Sequence, residues 1–225
     1  MATPLLLGHR GLRSRSLRVR ENTLAAFDLA LRHGCGGFEF DVRLTADSHA
    51  VICHGGRFAG ITISRAACTR LRALPLLEDV LARYASRAFL DIELKVPGLE
   101  SYVIDQIAKF PPQRGYVVSS FLPEVLVDLR DRSSSVPMGI ICETGKQLSA
   151  WREMPVEYVI PHERLITPNL IADVHAAGKK IFAWTINKKA SMIRLANMGV
   201  DGIVSDKTEL LVATLRTNIN PATIH

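Results

Sequence analysis

The alternation of short apolar segments with amphipathic ones is the feature that most restricts the fold of this chain. Apolar or β-branched runs predict strands at residues 5–9, 37–42, 50–54, 88–94, 115–120, 137–142, 157–161, 180–186 and 201–205. Helical periodicity fills most of the gaps, at residues 23–32, 76–84, 99–110, 123–132, 168–177, 188–198 and 208–215. Strands that alternate with helices form a parallel sheet covered on both faces.

One connection is too short to contain a helix. Only residues 45–49 separate the second and third runs, so we expect an antiparallel hairpin there, centred near Asp47. Without this return strand eight parallel strands remain, the number that closes a (β/α)8 TIM barrel. An open doubly wound sheet is the alternative, but no GxGxxG turn follows the first strand.

The length of 225 residues suits a single domain, which we expect to span residues 1–217 with a tail at 218–225. No run approaches the roughly 20 apolar residues of a membrane span, so stable membrane insertion is not expected. The amino terminus lacks the basic segment of a secretory signal, and the four cysteines lack CxxC spacing. Together these features predict a cytoplasmic protein with free, buried thiols. The oligomeric state stays open.

The formal charge of +6 favours an anionic partner, and part of the excess is local. Five arginines lie close together near the amino terminus: Arg10, Arg13, Arg15, Arg18 and Arg20. They form either a solvated basic loop or a surface for anions. Nucleic acid is not expected, because no aromatic residue alternates with these arginines. A small anionic substrate is the predicted partner.

Acidic residues lie toward the carboxyl ends of two predicted strands, where the active sites of TIM barrels are located. Glu39 and Asp41 have the i, i+2 spacing that turns both side chains into the barrel, and Glu93 with Lys95 ends a later strand. Carboxylates this close need a cation. Oxygen ligands favour Mg²⁺ or Ca²⁺, and a salt-bridge network without metal is the alternative.

Two histidines lie beside this acidic cluster. His9 follows the first strand, and the hairpin register brings His54 opposite residue 40. Two histidines flanking a phosphate could act as general acid and general base, while Arg10 binds phosphate oxygens.

The order of the motifs along the chain resembles that of the glycerophosphodiester phosphodiesterase family, and the resemblance extends almost from end to end. The resemblance rests on His9-Arg10-Gly11, Glu21-Asn22-Thr23, Glu39-Phe40-Asp41, Thr45 with Asp47, His54, Glu93-Leu94-Lys95, Ser120-Phe121, residues 184–187 (WTIN) and residues 199–206 (GVDGIVSD). It implies a TIM barrel with a hairpin strand after the second strand. It also implies metal-dependent hydrolysis of glycerophosphodiesters to an alcohol and glycerol 3-phosphate.

The resemblance also implies a role for each matching residue. Glu39, Asp41 and Glu93 would hold the divalent ion, and His9 and His54 would be the acid/base pair. Arg10 and Lys95 would contact phosphate, Glu21 would support them, and Trp184 would form an apolar wall for the glycerol or alcohol group. Trp184 as a core aromatic residue is the alternative.

The sequence departs from the family pattern in two places. Gly55 follows His54 where family members usually have Asp, and the segment from His54 to Glu93 is a shortened insertion. These departures leave two alternatives open: lysophospholipase D-type hydrolysis of lysophospholipids, or a catalytically weakened barrel that binds glycerol phosphate.

Overall fold

The computed structural model describes residues 3–13 and 18–217. The strands are β1 (Leu5–Gly8), β2 (Gly37–Leu44), β3 (Ala50–Ile52), β4 (Arg57–Phe58), β5 (Ile61–Thr62), β6 (Phe89–Leu94), β7 (Tyr116–Ser120), β8 (Met138–Cys142), β9 (Tyr158–Pro161), β10 (Lys180–Ala183) and β11 (Gly202–Ser205). The helices are α1 (Leu24–His33), α2 (Leu77–Tyr84), α3 (Glu100–Lys109), α4 (Pro123–Arg132), α5 (Gly145–Ser149), α6 (Pro168–Ala176), α7 (Lys189–Met198) and α8 (Thr208–Thr217). The predicted tail at 218–225 and Arg15 lie outside the described residues.

Parallel pairing closes the sheet into a barrel. The order around it is β1, β2, β6, β7, β8, β9, β10 and β11, and β11 returns to β1 with Leu5 paired to Gly202 and Gly8 to Ser205. The predicted (β/α)8 barrel is therefore confirmed, and the open doubly wound sheet is wrong.

The hairpin after β2 is present as expected. β3 pairs antiparallel with β2 through Val42 and Ile52 and through Leu44 and Ala50, so the turn is centred on Asp47. Beyond the ladder, the Cys53 amide donates a hydrogen bond of 2.9 Å to the Asp41 carbonyl. Continuing this register brings residue 54 opposite residue 40.

Alternate residues of each strand belong to two apolar layers. On β2, the side chains of Phe38, Phe40 and Val42 are fully buried toward the helices, and the Phe38 ring stacks on Phe27 of α1 with centroids 4.2 Å apart. A second cluster fills the barrel interior with Leu7, Phe89, Val117, Ile141, Tyr158, Ile160, Phe182 and Val204. Toward the carboxyl ends of β2 and β6 the inward positions become ionisable.

The insertion between β3 and α2 is small, as expected. It contains the two-stranded pair β4 and β5 and two short 3₁₀ helices, Ile63–Arg65 and Cys68–Arg70. A separate apolar cluster holds it on the hairpin, with Val51, Ile63 and Leu71 almost fully buried. Phe58 and Leu74 of this segment line a cavity together with His54.

Helix α5 was not expected from the sequence. Thr144 caps it by accepting a hydrogen bond from the Gln147 amide, and the Gln147 side chain reaches back to the Thr144 backbone. This capping box is a recognisable signal, although the helix is only five residues long.

The four cysteines are free, as expected, and three of them are buried; Cys68 is half-buried. Burial raises the pKa of the Cys35 and Cys142 thiols to about 12. In the described part of the chain, no helix combines the length and the hydropathy that crossing a membrane requires.

Candidate active site

The carboxyl ends of the strands surround a cavity of about 480 Å³. The predicted site residues that line it are His9, Arg10, Glu39, His54, Glu93, Lys95 and Trp184. Asp41 is fully buried next to Glu39 and Glu93, and Glu21 lies in a neighbouring cavity. The fold thus brings eight of the nine predicted residues to one place, with Glu21 at its border.

Three carboxylates converge at the base of this cavity. Glu39 and Asp41 project inward from β2, and Glu93 projects from β6, where it is in register with Asp41. One oxygen atom from each lies within 4.8 Å of the other two. Asp91, two residues before Glu93, is also buried in the barrel and accepts a hydrogen bond of 2.5 Å from the Ser119 hydroxyl.

Two carboxylate oxygens of the cluster make no hydrogen bond to a described residue. Glu39 Oε1 and Asp41 Oδ1 are buried and have no hydrogen-bond partner among the described residues. Burial, and then the nearby Asp41 and Glu93 carboxylates, raises the pKa of Glu39 well above its usual value. Burial and Asp41 likewise raise the pKa of Glu93 to about 7. Buried carboxylate oxygens without hydrogen bonds, at this separation, fit a hard divalent cation such as Mg²⁺ or Ca²⁺.

Two cationic side chains border the cluster. Lys95 Nζ lies 2.5 Å from Glu93 Oε1 and 3.4 Å from Asp41 Oδ1, and Arg10 Nε lies 3.3 Å from Asp41 Oδ2. Burial raises the pKa of Asp41, but the charges of Lys95 and Arg10 outweigh it and leave this pKa below its usual value. Asp41 is therefore the carboxylate of the three that is most firmly ionised.

A sharp turn after β1 positions Arg10. Its backbone has φ of 51°, and its amide donates a hydrogen bond of 2.7 Å to Glu39 Oε2. A Cβ atom on Gly8 would lie 2.0 Å from the Gly11 carbonyl oxygen, so the turn requires glycine there. Arg10 also donates to Glu21 Oε1 at 3.0 Å, so Glu21 contacts Arg10 and its supporting role stays a prediction.

Asn22 is a site residue that sequence reasoning missed. Its Nδ2 donates to Asp41 Oδ2 at 2.7 Å, and its Oδ1 accepts from the Asp41 amide at 3.2 Å. The neighbouring Thr23 caps α1 by accepting a hydrogen bond from the Ala26 amide, so Asn22 is not needed for the cap. The available signal was its place in the motif Glu21-Asn22-Thr23.

Asp206 was missed as well, although it lies in one of the matching motifs. It follows β11, and its Oδ1 lies 2.7 Å from His9 Nδ1. Asn187 donates to Asp206 Oδ2 at 2.6 Å and accepts from the Asp206 amide and the Ser205 hydroxyl. Burial alone would raise the pKa of Asp206. The hydrogen bond from His9 and the charge of that ring outweigh this effect, so the pKa lies below its usual value.

His54 is held less firmly than His9. Its backbone carbonyl accepts a hydrogen bond of 2.8 Å from Arg43 Nε, while its ring has no hydrogen bond to a described residue. Burial lowers the pKa of His54 below its usual value, with Asp41 acting in the opposite direction. The ring is thus favoured in its neutral form and is not oriented by a carboxylate.

Aromatic side chains form the opposite wall. The Trp184 ring lies edge-on to Phe121 and to His162, with centroids 5.5 Å apart in each pair. Its Nε1 donates to the Ile160 carbonyl at 2.9 Å, which fixes the ring. Trp184 is half-buried and lines the cavity, so both its predicted roles, wall and packing residue, are compatible with its position.

Solved structures of other proteins share this barrel. A glycerophosphodiester phosphodiesterase from Parabacteroides distasonis superposes with a TM-score of 0.85 at 21% identity, over 97% of this chain and 99% of that one. An Oleispira antarctica phosphodiesterase, solved in complex with the product sn-glycerol-3-phosphate, gives a TM-score of 0.81 at 23% identity, over 95% and 97% of the two chains. These similarities establish the fold.

Sequence comparison establishes the family. A glycerophosphodiester phosphodiesterase of Caldanaerobacter subterraneus subsp. tengcongensis is 30% identical over 94% of this chain and 98% of its own length. The profile of the glycerophosphoryl diester phosphodiesterase family matches residues 9–100 and 74–210. The profile match includes the three clustered carboxylates, His9, His54 and Asp206. The chain belongs to the glycerophosphoryl diester phosphodiesterase family.

Proposed function

We propose that this protein hydrolyses glycerophosphodiesters to an alcohol and glycerol 3-phosphate, with a divalent cation bound by Glu39, Asp41 and Glu93. The observation that carries the proposal is the convergence of three carboxylate oxygens within 4.8 Å at the base of a cavity lined by His9 and His54. The related phosphodiesterases and the glycerol phosphate complex of the Oleispira protein support the substrate class.

The cation is inferred from this chain's own side chains. Glu39 Oε1 and Asp41 Oδ1 are buried without a hydrogen-bond partner in the described residues, so both oxygens can coordinate a cation. When bound, a divalent ion would neutralise charge on the phosphate oxygens and so favour nucleophilic attack at phosphorus.

Binding of the diester would use the two cationic side chains at the rim of the cluster. Arg10 and Lys95 both line the cavity and are both within 3.4 Å of Asp41, so they are placed to contact phosphate oxygens next to the carboxylates. Trp184 and Phe121 would exclude water and pack against the carbon chain of the glycerol group.

The two histidines would move the protons. A nucleophile, water or the hydroxyl adjacent to the phosphate, gives its proton to one ring nitrogen as its oxygen bonds to phosphorus. The bond between phosphorus and the leaving oxygen then breaks, and the departing alkoxide takes a proton from the other histidine. If the internal hydroxyl attacks first, water completes hydrolysis with the same residues in reversed roles.

The test is release of glycerol 3-phosphate from glycerophosphoethanolamine, assayed with Mg²⁺ or Ca²⁺. We expect His9→Ala and His54→Ala each to lower kcat by roughly 10²- to 10⁴-fold. His49→Ala is the matched control, since that side chain is half exposed in the hairpin turn. Full activity in both site variants would refute the acid/base assignment. Turnover of lysophospholipids alone, or binding of glycerol phosphate without any turnover, would favour one of the two alternative functions.

A further inference from the structure

A second cavity, of about 610 Å³, adjoins the first. It lies between residues 18–23, just before α1, and the small insertion, and His54 lines both cavities. A phosphodiester has two ester branches. If one occupies the first cavity beside Trp184, a branch that passes His54 enters the second.

The second cavity carries excess positive charge. Arg13, Arg18 and Arg20 line it together with a single carboxylate, Glu21. Glu21 is already paired with Arg10 at 3.0 Å and lies 3.9 Å from Arg13. Neither Arg18 nor Arg20 forms an ion pair with any acidic residue in the described ranges, so both guanidinium groups remain available to an anion.

One of these arginines is held by the insertion. The Arg20 guanidinium lies over the Phe58 ring, 5.2 Å from its centroid, and Phe58 belongs to β4. Phe58 and Leu74 also supply apolar surface to the cavity wall. The cavity thus offers an apolar face for a ring or carbon chain together with cationic groups for a negative charge.

We propose that the second cavity binds the leaving alcohol of the substrate and selects an alcohol that carries its own anionic group, such as a phosphate monoester. The inference rests on the proposed function, because it assigns the branch of the diester that lies beyond His54. Arg18 and Arg20 are the specificity-determining residues.

The test compares glycerophosphoinositol with glycerophosphoinositol 4-phosphate, which differ only in the added phosphate. At low ionic strength we expect kcat/KM to be about tenfold or more higher for the phosphorylated diester, the size expected for solvent-screened charge-assisted hydrogen bonds. In the double variant Arg18→Gln and Arg20→Gln this ratio falls to near one. The control double variant Lys109→Gln and Arg114→Gln removes the same charge just before β7, at the opposite end of the barrel, and keeps the wild-type ratio.

Equal kcat/KM for the two diesters would overturn this inference and leave the proposed function intact. Absence of turnover with these diesters and with glycerophosphoethanolamine would refute the proposed function instead. Calorimetry with inositol 4-phosphate would then test separately whether the second cavity binds an anionic alcohol. Binding that weakens about tenfold in the Arg18 and Arg20 double variant supports the inference. Unchanged binding overturns it, as does arginine-dependent binding to phosphatidylglycerol vesicles without any preference between the two soluble diesters.

Discussion

His9 Nδ1 lies 2.7 Å from Asp206 Oδ1, although the two residues are 197 positions apart in the chain. They follow β1 and β11, neighbouring strands in which Gly8 is paired with Ser205. An ionised carboxylate only accepts hydrogen bonds, so Nδ1 carries the hydrogen. The other ring nitrogen, Nε2, lies 3.9 Å from Glu39 Oε2, on the side of the carboxylate cluster.

The first prediction concerns this pair. Asp206→Asn should lower kcat by roughly 100-fold or more, because an amide can hold the wrong tautomer of His9. Asp206→Glu should recover part of the loss. Proton NMR should detect a downfield Nδ1 proton in the wild type and not in the asparagine variant. An unchanged His9 signal in a slow variant would mean that Asp206 acts in some other way.

The second prediction concerns the cation. Adding Mg²⁺ or Ca²⁺ to chelator-treated protein should raise Tm, because a ligand that binds only the folded state stabilises it, by about 2.7 kcal/mol at 100 times its Kd. Glu93→Gln should remove most of this shift, as measured by calorimetry. Glu157→Gln is the control, since that residue forms a surface pair with Arg130. A full metal-induced shift in Glu93→Gln would exclude Glu93 as a ligand.

The third prediction concerns Trp184. Trp184→Ala should raise KM for a glycerophosphodiester by about tenfold with a smaller effect on kcat, because the variant loses apolar contact area but no proton-transfer group. Trp184→Phe loses the hydrogen bond to Ile160 but keeps a ring, so its KM should lie between those of the wild type and Trp184→Ala. Steady-state kinetics distinguishes this from a packing role, in which kcat/KM would be kept while Tm falls.

The fourth prediction concerns pH and stability. Asp28 on α1 accepts hydrogen bonds from Arg83 at 2.6 Å and Arg87 at 3.0 Å, and the Tyr84 hydroxyl lies 3.0 Å from it. Burial raises the pKa of Asp28, but the hydrogen bonds from Tyr84 and Arg83 outweigh it, so the net pKa is lowered. A lowered folded-state pKa stabilises the fold above the unfolded value of about 4 and loses that effect as pH falls through the folded value.

Asp28→Asn should therefore reduce the free energy of unfolding by about 1 kcal/mol at pH 7, and the difference from wild type should shrink below about pH 4. Urea unfolding at both pH values measures this. Asp131→Asn, an exposed change on α4, should show little difference at either pH. A loss for Asp28→Asn that is independent of pH would contradict the linkage.

The sequence predicted the parts of the site that depend on local spacing. Glu39 and Asp41 share a face because they are two residues apart on one strand, and the short link around Asp47 determines the register that brings His54 to them. Strand and helix alternation then determined the barrel. Each inference needed only a short stretch of chain and one geometric rule.

The missed residues depend on contacts that no local pattern encodes. Asp206 contacts His9 only because the last strand closes against the first, and Asn22 contacts Asp41 across 19 positions through side-chain hydrogen bonds. Asn22 precedes a helix, where a short polar side chain has an equally good use as a cap, so its place in the sequence does not assign it to the site. Whether Asn22 caps the helix or contacts Asp41 is visible only in the three-dimensional structure.

The closure of β11 onto β1 divides the construction of the site between the two ends of the chain. The three clustered carboxylates all come from the first 93 residues, whereas the carboxylate that orients His9 is residue 206. During synthesis, a nascent chain can present all three clustered carboxylates long before its β11 has emerged. At that stage His9 lacks its contact with Asp206, so the complete site forms only when β11 pairs with β1 and closes the barrel.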